Sequence, residues 1–305
     1  MTPTLTSPQR SSLAYGTPSH IRETQYDVPH PSLQYLCGAH TPENQIAAAN
    51  VFVALFDLTL VLDTFLEQLY LVDKRTPTYD SQNKSLSLVL DDWVGKLNTD
   101  ARRVIIRGTR LEIPGAPNLL LAYLTLKLLL RRIEFSTETN SAYNKSSPTL
   151  NFRLVQVRRA AEEIVLFVQD LDEEHLGGFW LPISAFAFTS TTAFLLRCAL
   201  DAENEGIANG NIRGSAIRRS HIHQSPSLHL AHDLITALRH HQDCFGWDIA
   251  DICLAQYADV IEKLITPLPT ESHFDACEEA AQNIMADASF IDALFPDIWN
   301  TLQEL

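Results

Sequence analysis

Long apolar segments with a helical period constrain the fold of this chain more than any other feature. The clearest is PENQIAAANVFVALFDLTLVLDTFLEQLYLV (residues 42–72), which runs for about 30 residues without glycine or a second proline. Polar residues recur there every seven positions, which predicts a narrow polar stripe on a buried helix, formed by Asn50, Asp57 and Thr64. Thr41 is the predicted N-cap, and Pro42 takes the first helical position.

Segments of the same kind follow, and they predict an all-α fold. Helices are expected over 85–97, 116–135, 150–171, 179–200, 227–242, 247–265, 275–286 and 289–303, with loops over 73–84, 136–149 and 203–227. No segment alternates with the period of a strand, and no internal repeat is visible. We therefore expect a multi-helix stack of about eight or nine helices.

An extended, proline-rich arm is predicted ahead of the first long helix. YGTPSHIRETQYDVPHP (residues 15–31) contains three prolines and a glycine, which exclude one helix or one central strand. The predicted organisation is a disordered N-terminus over 1–14, a helical domain over 15–265 and an acidic C-terminal segment over 266–305.

Charge and cysteine content narrow the classes of function. The 305 residues are 46% hydrophobic, which is enough for a large core, and the net charge of -14 opposes tight binding to nucleic acid phosphates. Five widely spaced cysteines without a CxxC pair indicate a reducing interior compartment. The N-terminus has no apolar core, so no secretory signal is predicted.

The uncharged stretch from Phe179 to Leu196 raises the question of a membrane span. It contains Pro182 and five hydroxyl residues, and Arg197 follows directly. This composition favours the buried helix of a soluble domain, and we expect no contact with a membrane.

Two acidic residues on the second predicted helix invite comparison with magnesium-dependent helical enzymes. Asp91 and Asp92 lie in VLDDWVGKL. Magnesium and a diphosphate would need a third carboxylate one turn further on, and Gly95 and Lys96 occupy those positions. The favoured interpretation is a solvated acidic patch.

Histidines are concentrated in SHIHQSPSLHLAHDLITALRHH, residues 220–241. His232-Asp233 is the dipeptide of HD-type phosphohydrolases, which also need a histidine upstream and an aspartate downstream on the same metal. His221 or His223, with Asp248 or Asp251, could complete such a set. A mixture of surface and packed histidines is the favoured interpretation.

No other motif predicts catalysis. The chain has no GxSxG, no phosphate-binding glycine loop and no GxGxxG. A small basic loop, NIRGSAIRR, carries Arg213, Arg218 and Arg219 and is interpreted as a solvated insertion. We therefore predict a non-enzyme with no catalytic, cofactor-binding or metal-binding residue.

Four segments, in order along residues 15–200, resemble the central regulatory domain of fungal-specific transcription factors of the zinc binuclear cluster class. The arm is similar to that family's "GRPxxI…D.DVPLP" segment, with matches at Gly16, Pro18, Ile21, Asp27, Val28, Pro29 and Pro31. LDDWVGKLN resembles its Leu-x2-Trp-x3-Leu-Pro helix, with Asn98 in place of proline. LLLAYLTLKLLLRR and FWLPISAFAFTSTTAFLLRCAL resemble two further helices of that domain.

The resemblance implies a nuclear regulator that acts through protein partners, namely the transcription machinery or a related regulator, with a homodimer among the possibilities. The family's DNA-binding module uses six cysteines and two zinc ions, and no residues here match it, so DNA would be reached only indirectly. The alternatives are a helical metal-dependent enzyme and a dimerising decoy partner of a full-length regulator.

The C-terminal segment has the composition of an acidic activation segment. Residues 264–305 hold eight acidic residues and no Lys or Arg. In SFIDALFPDIWNTLQEL, aromatic and aliphatic residues alternate with three acids, Asp292, Asp297 and Glu304, a pattern that keeps such side chains solvated and available to a partner's groove. A final amphipathic helix docked on the domain is the other interpretation.

Overall fold

The fold is that of an all-α protein, as the sequence predicts. The structure is a computed structural model that describes residues 29–70, 86–141, 148–208, 223 and 225–266. It is 81% helical with no strand over these residues and contains ten α-helices, eight of them of seven residues or more. Most of the predicted arm, the basic loop and the two C-terminal helices lie outside the described residues.

The described chain divides into two compact units, and the helices of the first surround one long helix. This unit holds α1 (Leu33–Leu36), α2 (Glu43–Tyr70), α3 (Leu86–Lys96), α4 (Thr99–Arg107), the part of α5 (Ala116–Ser141) up to Leu130, and the segment Asp172–Ser184 with α7 (Glu173–Leu176). The α2 helix packs against α1, α3 and α4. Its Phe65 and Leu66 are fully buried, as are Leu119 and Leu121 of α5.

The second unit is built around a helix close to the C-terminal end of the described chain. It holds α5 from Arg131, α6 (Pro148–Gln169), α8 (Ser184–Ala208) from Ala185, α9 (Pro226–Phe245), the 3-10 helix Asp248–Ala250 and α10 (Asp251–Ile265). The α9 helix packs against α6 and α10. Its large fully buried side chains are Leu228, Leu234, Ile235 and Leu238.

The start of α2 corrects the predicted N-cap. The helix begins at Glu43, and the Pro42 carbonyl accepts the Ile46 N–H. Thr41 does not cap it, because its hydroxyl oxygen accepts the Gly38 N–H at 2.8 Å. The polar stripe includes a hydrogen bond, in which Asp57 Oδ1 lies 2.7 Å from His30 Nε2.

Other features differ from the prediction, among them the end of α8 at Ala208, six residues into the predicted loop over 203–227. The α5 helix continues to Ser141, so the first six residues of the predicted loop over 136–149 are helical. The α8 helix begins at Ser184, and Phe179, Trp180, Leu181 and Pro182 precede it. The α4 helix, Thr99–Arg107, has no counterpart among the predicted helices.

One stretch among the described residues is long and apolar enough to cross a membrane by length and composition, Glu43–Leu66 of α2. Core helices of folded domains meet the same criterion. The stretch considered in the sequence corresponds to a shorter apolar helix, Ser184–Leu200.

Candidate functional site

The paired aspartates of α3 lie on an exposed surface. Asp91 and Asp92 are both exposed, and Asp92 accepts a hydrogen bond from Lys96 Nζ at 2.6 Å, one turn further on. The position that a third magnesium ligand would occupy therefore holds a cation that neutralises one of the two carboxylates.

The histidines of α9 have different environments from one another. The His232 and Asp233 side chains lie outward, with Nδ1 and Oδ1 3.8 Å apart, whereas His241 is buried and its Nε2 lies 2.7 Å from the Val168 carbonyl oxygen of α6. Asp251 accepts a hydrogen bond from Gln242. Over the part of the chain that the structure describes, no group of three or more metal-binding side chains comes together.

Two sets of buried polar side chains lie in the core of the second unit, Thr192 with Cys253 and Tyr257, and His241 with Trp247, and together we call them the buried cluster. The Thr192 hydroxyl and the Cys253 thiol are 3.4 Å apart. The Trp247 ring lies 5.9 Å from His241 and 5.5 Å from Phe188. The His241 Nδ1 and the Tyr257 hydroxyl have no hydrogen-bond partner among the described residues.

The electrostatics of Cys253 and Tyr257 disfavour a role for either side chain as a nucleophile at neutral pH. Burial raises the pKa of the Cys253 thiol to about 12, although the Thr192 hydroxyl opposes the shift. Burial, followed by the nearby Cys253, raises the pKa of Tyr257 to about 12. Both groups therefore stay protonated at neutral pH, and the cysteine is not a thiolate nucleophile.

The polar side chains of α5 have different roles in the two units. In the first unit, Tyr123 stacks on the buried Trp93 with ring centroids 5.9 Å apart. In the second unit, Glu134 accepts hydrogen bonds from Arg131 at 2.8 Å and from Arg153 of α6 at 2.9 Å. These contacts join helices within each unit.

The α6 helix carries an exposed stripe that contains apolar side chains. Phe152, Val155 and Leu166 are 58%, 50% and 51% exposed. Together with three exposed polar residues of the same helix, they follow one another at spacings of three and four positions. All six side chains therefore lie on one face of α6. We call this face the α6 stripe: Phe152, Val155, Arg159, Glu162, Leu166 and Gln169.

Sequence reasoning identified neither the buried cluster nor the α6 stripe. A signal for the first exists in the four-residue spacing of Cys253 and Tyr257 on an apolar helix. A signal for the α6 stripe is that α6 has more apolar residues than one buried face requires. Its Ile164, Val165 and Val168 already supply that buried face.

No family model, no curated protein and no solved structure matches this chain. The fold and its surfaces therefore have to be interpreted from their own residues.

Proposed function

We propose that this chain is the regulatory domain of a fungal transcription factor, which acts in the nucleus through protein–protein contacts and has no zinc cluster of its own. The observation that carries the proposal is the order of four family-like segments along residues 15–200, from the proline-rich arm to the α8 region. The helical architecture agrees with that class, although many other classes share it.

The environments of the side chains that are the strongest candidates for catalysis also support this proposal. Asp92 is neutralised by Lys96, and Cys253 stays protonated. Apolar side chains on exposed helix faces, as on α6, are a feature of protein-binding surfaces. The described residues therefore favour binding over catalysis.

The C-terminal segment is the proposed effector. In this proposal its acidic residues would keep Phe290, Phe295 and Trp299 available to a partner, whose groove would bind them as the segment folds. The affinity would come from the aromatic side chains, while the acids would speed the encounter with a basic partner.

A reporter assay tests this directly. Residues 284–305, fused to an unrelated DNA-binding domain in a fungal host, should activate a reporter gene. Replacing Phe295 and Trp299 by alanine should abolish activation, whereas the matched pair Thr301→Ala and Gln303→Ala should preserve it. An inactive fusion, or one that the aromatic substitutions leave active, would contradict the activation segment.

A dimerising partner of a full-length regulator is a second candidate. The exposed α6 stripe favours it, because a decoy must present a surface for another copy of the fold.

A further inference from the structure

The order of residues along the α6 stripe is self-complementary when the helix is reversed. The point between Ala160 and Ala161 lies midway between Arg159 and Glu162, and the same point lies midway between Val155 and Leu166. Phe152 and Gln169 are likewise equidistant from it. In two antiparallel helices, residues equidistant from the midpoint on opposite sides lie at the same height and oppose each other.

Pairing α6 with a second α6 in this way matches each of the four central side chains of the stripe with a suitable partner. Arg159 would oppose Glu162 of the second copy, and the two-fold axis would repeat this ion pair. Val155 would oppose Leu166 on either side of the ion pairs, so that apolar side chains now 50% and 51% exposed would cover one another.

We propose that the α6 stripe is the surface through which two copies of this chain form a two-fold symmetric, antiparallel dimer. The charge order identifies the occupant. A uniformly acidic segment would meet Glu162, and a uniformly basic one would meet Arg159, whereas a second copy satisfies both charges at once. The inference stands whether or not the chain regulates transcription.

The geometry indicates a dimer of modest affinity. From Phe152 to Gln169 the stripe spans about 25 Å of helix, at about 1.5 Å per residue. A contact of that length lies at the small end of specific interfaces. The chain should therefore change from its monomer mass of 34.2 kDa to twice that mass as concentration rises.

Sedimentation equilibrium of the full chain, up to about 200 µM, tests the proposal. Arg159→Glu would place two like-charged pairs across the interface, and so would Glu162→Arg. Each should weaken dimerisation about tenfold or more. The double variant Arg159→Glu/Glu162→Arg restores opposite charges and should dimerise within about threefold of the original chain.

Mixing the two single variants gives an independent readout. Their charges complement each other, so a mixed dimer should form at concentrations where each variant alone is monomeric. Arg103→Glu, an exposed charge reversal on α4, is the matched control and should leave the dimer unchanged. Circular dichroism of every variant verifies that the fold is kept.

Three results would overturn the proposal: a chain that stays monomeric over the whole range, a dimer that ignores both single reversals, or a double variant that fails to recover. A monomer that loses stability on Val155→Asp would also overturn it, and would indicate that another part of the same chain covers the stripe.

Discussion

Asn118 shows how one buried amide can hold an irregular segment. Its Nδ2 donates to the Phe179 carbonyl at 2.8 Å, and its Oδ1 accepts the Leu181 N–H at 2.8 Å. Asn118 is buried in the first turn of α5, yet it satisfies backbone groups more than 60 positions away. The segment from Phe179 to Leu181, which precedes α8, is thereby fixed within the first unit.

Replacing Asn118 by alanine should lower the free energy of unfolding by about 1–3 kcal/mol, because two backbone groups lose their partner. Urea denaturation measures the change. Asn151→Ala, at an exposed position in α6, is the control and should have little effect. Equal stability of both variants would mean that water replaces the amide without cost.

The raised pKa values of Cys253 and Tyr257 predict a loss of stability in alkali. Both groups are neutral when protonated, and the folded state raises each pKa to about 12, from 9.0 for the thiol and 10.0 for the phenol. Their contribution is therefore complete below about pH 9 and is lost as pH rises toward 12. Each group can change the free energy of unfolding by at most about 1.4 kcal/mol per pH unit.

Denaturation at several pH values between 8 and about 11 checks this prediction. Cys253→Ala should reduce the slope of stability against pH above pH 9, and Tyr257→Phe should reduce it above pH 10. Cys244→Ala, at an exposed thiol, should not. A slope that the Cys253 substitution leaves unchanged would show that the thiol is solvated in the folded chain.

At the scale of the element, α4 depends on its two ends. The Asn98 Oδ1 accepts the Ala101 N–H at 2.9 Å, and Gly108, at φ 61°, donates its N–H to the Val104 carbonyl. Only three side chains of its nine residues are buried, namely Ala101, Val104 and Ile105. A helix this short relies on caps because few internal hydrogen bonds hold it.

Asn98→Ala should lower the free energy of unfolding by about 1 kcal/mol. Asn98→Asp should preserve most of this stability, because a carboxylate accepts the same N–H. Thermal unfolding of both variants measures the difference. An alanine variant as stable as the original chain would show that water caps the helix equally well.

The α5 helix makes the opposite case, because packing rather than capping stabilises it. Leu124 is 7% exposed, and Leu124→Ala should lower the free energy of unfolding by about 2–5 kcal/mol. Ile106→Ala on α4, at a position 61% exposed, should change it by less than about 0.5 kcal/mol. A small effect at Leu124 would remove that face of α5 from the core.

Helix periodicity predicted where the long helices lie, because the buried faces of α2, α5 and α9 repeat over many turns. It failed where one contact decides a boundary. The Thr41 hydroxyl accepts a hydrogen bond from the N–H of Gly38, and α2 begins at Glu43. The apolar pattern of α4 extends over only about two turns. The sequence features that could have predicted this helix are Asn98 as its N-cap and Gly108 as its C-cap.

Sites are harder to predict than helices because they join distant positions. The 3.4 Å contact of Thr192 with Cys253 crosses 61 positions, and the bond from His241 to Val168 crosses 73. No pattern within one segment encodes such contacts. The α6 stripe could have been predicted from the sequence, because the surplus of apolar residues lies within a single helix.

At the scale of the whole molecule, charge sets the expected behaviour toward DNA. With a net charge of -14 and no matching zinc cluster, the chain should not bind duplex DNA sequence-specifically at physiological salt. Fluorescence anisotropy with labelled duplexes measures this. Sub-micromolar preference for one sequence would contradict it and direct attention to Arg213, Arg218 and Arg219.

The four tryptophans are distributed so that the chain carries its own optical labels. Trp93 and Trp180 are buried in the first unit, and Trp247 is buried in the second. Variants that retain a single tryptophan, with phenylalanine elsewhere, therefore report the melting of one unit at a time by their emission. Coincident melting curves would indicate that the two units unfold together in one cooperative transition. Separated curves would indicate that each unit is an independent folding domain.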